Sequence, residues 1–425
     1  MFKKADWIYQ TNVYEVNLRQ YSADGTIGAF EKELPRLKDM GVDTLWFMPL
    51  TPISVKHRKG SLGSQYACSN YTAFSEEYGT LQQFTQFVKN AQQLGFKVII
   101  DWVANHTGWD HVWTVEHPAY YKIDAATGDF KKASGMDDII ELDYTNPALR
   151  SAMIEAMRFW VTTCNIDGFR CDLAFWVQLD FWLEARAELE QTKVLFWLAE
   201  CDPIDHPDYF KAFDACYTWA WMHKTAEFYK GSQDKWMLDP VLQQYNQLPA
   251  TDNLFLWFTS NHDENTWNGT EYEKYGEAAA ALAVFSCTWN GIPLVYSGQE
   301  LPNKKRLAFF DKDVIEWTGT CALHQFYKTL LMLHRQHPAL RAGDAAVQTF
   351  MINTNANDRL LAYLRSCGNQ QVLVVLNLSP FTIDAVIEDD RVQGIYTDIF
   401  TGSQRQLQYG HYQQLQPWHY LLYVK

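Results

Sequence analysis

Short runs of apolar, β-branched and aromatic residues recur through the first 300 positions. They are V-Y-E-V-N-L (13–18), T-L-W-F-M-P (44–49), V-I-I-D-W-V (98–103), G-F-R-C-D-L-A (168–174), L-F-W-L-A-E-C (195–201), D-A-C-Y-T-W (214–219), L-W-F-T-S-N-H-D (256–263) and P-L-V-Y-S-G-Q-E (293–300). Their length and composition predict eight strands. Between most of them the spacing turns helical, as in F-E-K-E-L-P-R-L-K-D-M-G (30–41) and L-Q-Q-F-T-Q-F-V-K-N-A-Q-Q-L-G (81–95), each closing on a glycine as helices often do. Strands alternating with helices predict a parallel sheet, and eight such units predict closure: the α/β class, as a (β/α)8 TIM barrel.

The stretch from the third strand to the fourth exceeds one βα unit by roughly 40 residues. This predicts a small subdomain inserted after strand 3, at about 107–145, rich in Trp, Asp and Gly. Its shortness suggests an open cleft, or one completed by a partner chain. Beyond about 345 the helical spacing gives way to L-L-A-Y-L-R, Q-V-L-V-V-L-N-L, I-Y-T-D-I-F and W-H-Y-L-L-Y-V with turn residues between, which predicts a C-terminal antiparallel β-sandwich. The expected domains are thus a barrel at 1–345 and a sandwich at 346–425. The longest apolar stretch, roughly 278–297, is broken by Thr288, Asn290, Gly291 and Pro293 and reads as a helix followed by a strand, so no membrane span is expected.

Charges interrupt this pattern at particular places. Arg170 and Asp172 stand two apart in an apolar strand and therefore share one face. An isolated pair of this kind reads as a structural ion pair. Two further carboxylates change that reading, because Glu200 ends the fifth predicted strand and Asp263 the seventh. Asp172 to Glu200 is one βα unit of about 30 residues and Glu200 to Asp263 is two, so all three carboxylates belong at one mouth of the barrel, where such folds place their chemistry. Crowded carboxylates raise one another's pKa and cost stability. Glycoside hydrolysis uses that cost, since a retaining mechanism needs an ionised nucleophile and a protonated acid about 5 to 5.5 Å apart.

Composition narrows the partners. The net charge of -14 argues against nucleic acid or an anionic membrane surface. Aromatic residues reach 15%, with 17 Trp and 23 Tyr; most fill the core, while a carbohydrate cleft uses some as stacking platforms. The eight cysteines show no C-x-x-C pair and no zinc spacing, and several lie in apolar runs, as reduced thiols do. With no apolar leader in M-F-K-K-A-D-W-I-Y-Q, a cytoplasmic location is expected, a trimmed secreted form being the alternative. Oligomeric state is not legible.

Four segments, D-W-V-A-N-H (101–106), G-F-R-C-D (168–172), W-L-A-E (197–200) and T-S-N-H-D (259–263), resemble in order and strand placement the short motifs of glycoside hydrolase family 13, the α-amylase family. G-I-P-L-V-Y-S-G-Q-E (291–300) resembles that family's eighth-strand segment, and S-Q-Y-A-C-S-N-Y-T-A-F-S-E-E-Y-G-T (64–80) its segment ahead of the third strand. The resemblance implies Asp172 as nucleophile, Glu200 as general acid and base, and Asp263 as the carboxylate that binds and distorts the sugar. It implies that Arg170 keeps Asp172 ionised, that His106 and His262 donate hydrogen bonds to sugar, that Tyr66 stacks on the sugar and that Asp101 is a structural partner.

Departures from the family pattern matter as well. Phe175 and Trp176 stand where many α-amylases carry a Lys-His pair. No cofactor is required by the chemistry; a calcium site of the family's kind would use Asn105 and Glu141, although a hard cation takes six to eight oxygens. The expected substrate is a starch-like glucan or malto-oligosaccharide, cut at internal α-1,4 links with retention. The alternatives are an α-glucosyl transferase or α-glucosidase acting on short oligosaccharides and, in another class, a non-catalytic glucan-binding protein.

Overall fold

The computed structural model describes residues 2–231, 233–249 and 252–425. Eight parallel strands close into a barrel: β1 (Val13–Val16), β2 (Thr44–Phe47), β3 (Lys97–Trp102), β6 (Gly168–Cys171), β7 (Phe196–Ala199), β8 (Ala215–Tyr217), β9 (Leu254–Trp257) and β10 (Ile292–Tyr296). Between β3 and β6 the antiparallel pair β4 (His106–Gly108) and β5 (Ile139–Glu141) anchors the inserted subdomain.

Alternation along each strand sorts the core into two layers. Val13, Trp46, Ile99, Phe196, Leu198, Leu254 and Leu294 point inward and fill the barrel. Their neighbours Tyr14, Leu45, Phe47, Ile100, Phe169, Trp197 and Phe255 point outward against the helices. The helix Leu81–Gln93 shows how a crossover is held: Thr80 and Gln83 form a capping box, and Phe84, Phe87, Val88 and Ala91 make one buried stripe. Phe47 of β2 meets Phe87 edge-on at 5.4 Å.

The chain after the barrel forms a six-stranded antiparallel sheet from β11 (Gln348–Met351), β12 (Leu360–Cys367), β13 (Gln370–Asn377), β15 (Gly394–Asp398), β16 (Gln404–Leu407) and β18 (Tyr420–Val424). A two-stranded ladder of β14 (Ile383–Val386) and β17 (Tyr412–Leu415) makes the second layer. Alternation again divides the faces: Leu361 and Tyr363 join the barrel's outer core, whereas Leu360, Ala362 and Leu364 pack with Ile383 and Leu415 of the ladder. Tyr363 meets Trp289 edge-on at 4.8 Å and bonds Thr288 at 2.6 Å. Among the described residues no helix is long and apolar enough to cross a membrane.

Candidate active site

The same alternation aims the charged residues. Glu15 follows the inward Val13, Asp101 follows Ile99, Arg170 follows Gly168, Asp172 follows Arg170, and Glu200 follows Leu198, each two residues on. All therefore gather inside the carboxyl-terminal mouth. Gly168 permits β6 and β7 to close up, since a Cβ there would stand 2.1 Å from the Phe196 carbonyl oxygen.

Arg170 is fully buried and joins the carboxylates. Its Nη1 donates to Asp172 Oδ1 and Asp101 Oδ1, both at 2.9 Å, and its Nε donates to the Tyr217 hydroxyl at 3.2 Å. Nη2 lies 2.9 Å from Glu200 Oε2, an ion pair whose angles fall short of a hydrogen bond. The guanidinium carbon sits 4.9 Å from the centre of the Trp46 ring. One cation thus balances three buried carboxyl groups. Burial pushes Asp172 above the usual carboxylate range, and Arg170 opposes that rise. Glu200 is pushed up to about 7 by burial, against Arg170 and with help from Asp172. Near neutral pH the arrangement thus supplies an ionised carboxylate beside a carboxyl that retains a proton, on neighbouring strands roughly 4.8 Å apart.

Immediately after Asp172 the chain leaves the strand through Leu173 in the left-handed region, at φ 39° and ψ 51°. For a γ-branched residue this is strained. The turn aims the Leu173 N–H at Glu200 Oε2, 2.8 Å away.

A second chain of contacts crosses the mouth. His262 Nδ1 lies 2.6 Å from Glu15 Oε1, and its Nε2 lies 2.7 Å from the Tyr66 hydroxyl, which donates to Asp101 Oδ2 at 3.1 Å. Burial resists a charge on His262, but Asp263 and Glu15 outweigh it and push the imidazole up to about 9. As a cation His262 donates from both nitrogens, which matches both contacts. Asp263 Oδ2 stands 3.4 Å from Nε2 with the carboxylate partly open to the cleft. His106 is the opposite case: burial lowers it to about 4, and its Nε2 has no partner among the described residues, leaving a neutral ring with a free edge.

The structure therefore brings Tyr66, Asp101, Arg170, Asp172, Glu200, His262 and Asp263 into one cluster, with His106 on the same cavity of about 430 Å³. Asn105 and Glu141 are placed differently from the sequence expectation. Both Glu141 oxygens are taken, Oε1 by Lys122 at 2.5 Å and Oε2 by Lys131 at 2.8 Å. Asn105 offers its backbone carbonyl to Leu142 at 3.1 Å and its amide contacts the His106 ring. Among the described residues no group of three or more His, Cys, Asp or Glu could hold a metal ion. A carboxylate already neutralised by two ammonium groups, with one amide beside it, does not fit calcium.

Sequence reasoning missed several residues. Glu15 carried a signal, being a carboxylate in the apolar run V-Y-E-V, but no motif. Trp46 and Tyr217 looked like core aromatics. Lys59, Asp138, Phe309 and Phe310 also line the cavity and come from loops, and Trp267 from the short helical turn Glu264–Asn268, where no periodicity marks them.

A family model described as alpha amylase, catalytic domain, matches residues 11–122 and 117–313. The alpha-amylase MalA of Haloarcula japonica is 26% identical over 421 residues, covering 94% of this chain and 59% of its own length. Among solved structures, a noncanonic maltogenic alpha-amylase, AmyB from Thermotoga neapolitana, superposes with a TM-score of 0.88 at 28% identity over 98% of both chains. An alpha-amylase from Lactobacillus plantarum gives 0.86 at 27% identity, covering 98% of this chain and 99% of its own.

Proposed function

The chain belongs to the alpha-amylase family, and from that premise we propose that it hydrolyses α-1,4-glucosidic bonds of starch-like glucans or malto-oligosaccharides with retention of configuration. In this reading Asp172 attacks the anomeric carbon while Glu200 gives its proton to the departing glycosidic oxygen. Glu200, now ionised, takes a proton from water, the water oxygen displaces Asp172, and the α-anomer is released. Arg170 holds Asp172 ionised, Asp263 and His262 bind sugar hydroxyls, His106 donates from its free edge, Tyr66 packs against the ring and Asp101 braces Arg170 and Tyr66. Two carboxyl groups and water suffice for this chemistry.

The observation that carries the reading is the single guanidinium shared by Asp101, Asp172 and Glu200, with burial raising Glu200 to about 7. A glucan-binding protein without catalysis has no use for so costly a cluster. The eight unpaired cysteines, six of them buried, support a reducing, cytoplasmic setting.

A product time course on maltoheptaose and soluble starch, resolving chain length and anomer, tests the proposal. Shorter α-anomeric products from the outset are expected, and Asp172→Asn and Glu200→Gln should each lower turnover by several orders of magnitude with the fold intact. Products longer than the substrate would replace hydrolysis with glucosyl transfer; near-normal turnover in either variant would remove the assigned roles.

A further inference from the structure

Around the barrel the strand order is β1-β10-β9-β8-β7-β6-β3-β2. Counted around that ring, β7, which delivers Glu200, stands directly across from β1, and β10 and β2 flank β1. The loops that leave β2 and β10 meet over β1. Leu62 and Gly63 donate their N–H groups to the Phe310 carbonyl at 3.0 and 3.2 Å, and Ser61 donates through N and Oγ to Asp311 Oδ1 at 2.7 and 2.6 Å. Gly60 makes this contact possible: its φ is +64°, and a Cβ there would come within 2.5 Å of Phe310 Cβ. The next residue back, Lys59, reaches the inserted subdomain, its Nζ lying 2.7 Å from Asp138 Oδ1. Trp267 continues the barrier, with its ring centre 6.0 Å from that of Phe310. The subdomain, the loop after β2 and the loop after β10 thus form one connected wall, and residues from each line the cavity that holds the carboxylates.

The opposite side of the mouth is built differently. Phe175, after β6, and His206, after β7, stack at 4.6 Å with ring planes 18° apart, and Phe175 is 37% exposed. A flat, open face of this kind suits sugar rings.

The chemistry orients the substrate between these two sides. The acid protonates the departing oxygen, so the leaving group lies on the side of Glu200, and the glycone extends away from it toward the wall. Resting on the proposed glucan hydrolysis, we propose that the Lys59–Asp138 bridge closes the glycone end of the cleft. The enzyme then removes short units from the non-reducing end, while the reducing-side sugars run out over Phe175 and His206. This replaces the internal cleavage expected from the family resemblance and the cleft, open or completed by a partner chain, suggested by the short insertion, because the chain walls off its own cleft.

The test uses maltoheptaose labelled at its reducing end and follows the first products of the wild type, Lys59→Ala and Asp138→Ala. For the wild type, the label should stay in long fragments and the unlabelled products should be short. Each variant should release long unlabelled fragments several-fold more often, and the charge exchange Lys59→Asp with Asp138→Lys should restore the wild-type pattern. Active variants with an unchanged cleavage pattern, or a wild type that releases long unlabelled fragments from the start, would overturn the inference while leaving glucan hydrolysis intact. If the wild type turns over no α-glucan at all, the functional reading falls and this inference falls with it.

Discussion

At the level of single residues, the site depends on burying more acid than base. Asp172 and Glu200 lie on one guanidinium, yet burial raises both and carries Glu200 to about 7. With Asp172 required ionised and Glu200 protonated, kcat/KM should follow a bell: its acid limb above the ordinary carboxylate range, its alkaline limb near 7, the two limbs belonging to the coupled pair. The same shift has a consequence for folding. Glu200 binds its proton more tightly folded than unfolded, so stability is unaffected at low pH, falls as pH rises from the unfolded value toward about 7, and stays low above it. The loss is of order 3 kcal/mol, about 1.4 for each tenfold change in proton affinity. Glu200→Gln leaves Arg170 two carboxylates and removes that cost, so its melting temperature should exceed that of the wild type at pH 8 and converge on it at pH 4. A variant less stable at pH 8 would show that the carboxylate contributes more as a partner of Arg170 than it costs as a buried charge. The carboxylates and Arg170 were legible in the sequence because Glu200 and Asp263 follow Asp172 at spacings of one and two βα units, a recurrence that a lone structural ion pair does not need. Glu15 is equally buried and equally inward, but it lies outside the matched motifs and gains its meaning only from His262, 247 positions away.

At the level of elements, seven of the eight strands were legible to within a few residues, since length and composition mark them directly; the seventh run, 256–263, overshoots β9 by six residues, and Asp263 sits at the start of the helical turn Glu264–Asn268 instead of at a strand end. The inserted subdomain was legible as excess length. What holds it was not. Lys122, Lys131 and Glu141 form a clasp on the strand pair β4 and β5, at the place where the family resemblance suggested calcium. The lysines are partly exposed, at 36% and 49%, so the clasp is worth about 1 kcal/mol or less after screening. Incubation with a chelator should therefore leave the melting temperature unchanged, whereas Glu141→Gln should lower it slightly, and less so in high salt. A fall of many degrees on chelation would mean that a cation, not the clasp, secures the subdomain.

At the level of the molecule, the antiparallel sheet is a wall of the barrel's core as much as a separate layer. Leu361, Tyr363, Val372 and Val374 belong to the same buried cluster as Phe285 and Trp289 of the barrel. Arg365, buried with no carboxylate beside it among the described residues, donates to the Ala339 carbonyl and to Thr349 Oγ1 and so ties the short helix Pro338–Leu340 to the sheet. A chain ended at 345 should expose this surface and fail to give a soluble, cooperatively unfolding barrel, while the full chain unfolds in one transition; a stable truncated barrel would show that the interface is dispensable. The sequence by itself determined the barrel, its closing number of strands, the insertion, the terminal sheet and the inward-facing carboxylates, because strand periodicity and the places where charge interrupts it are local properties. Only the tertiary structure decided the charge of His262, the fate of Glu141 and the wall from Asp138 through Lys59 to Phe310. Each of these depends on residues far apart in the chain whose encounter is fixed by how loops from different strands meet, and loops carry no period from which that meeting can be read.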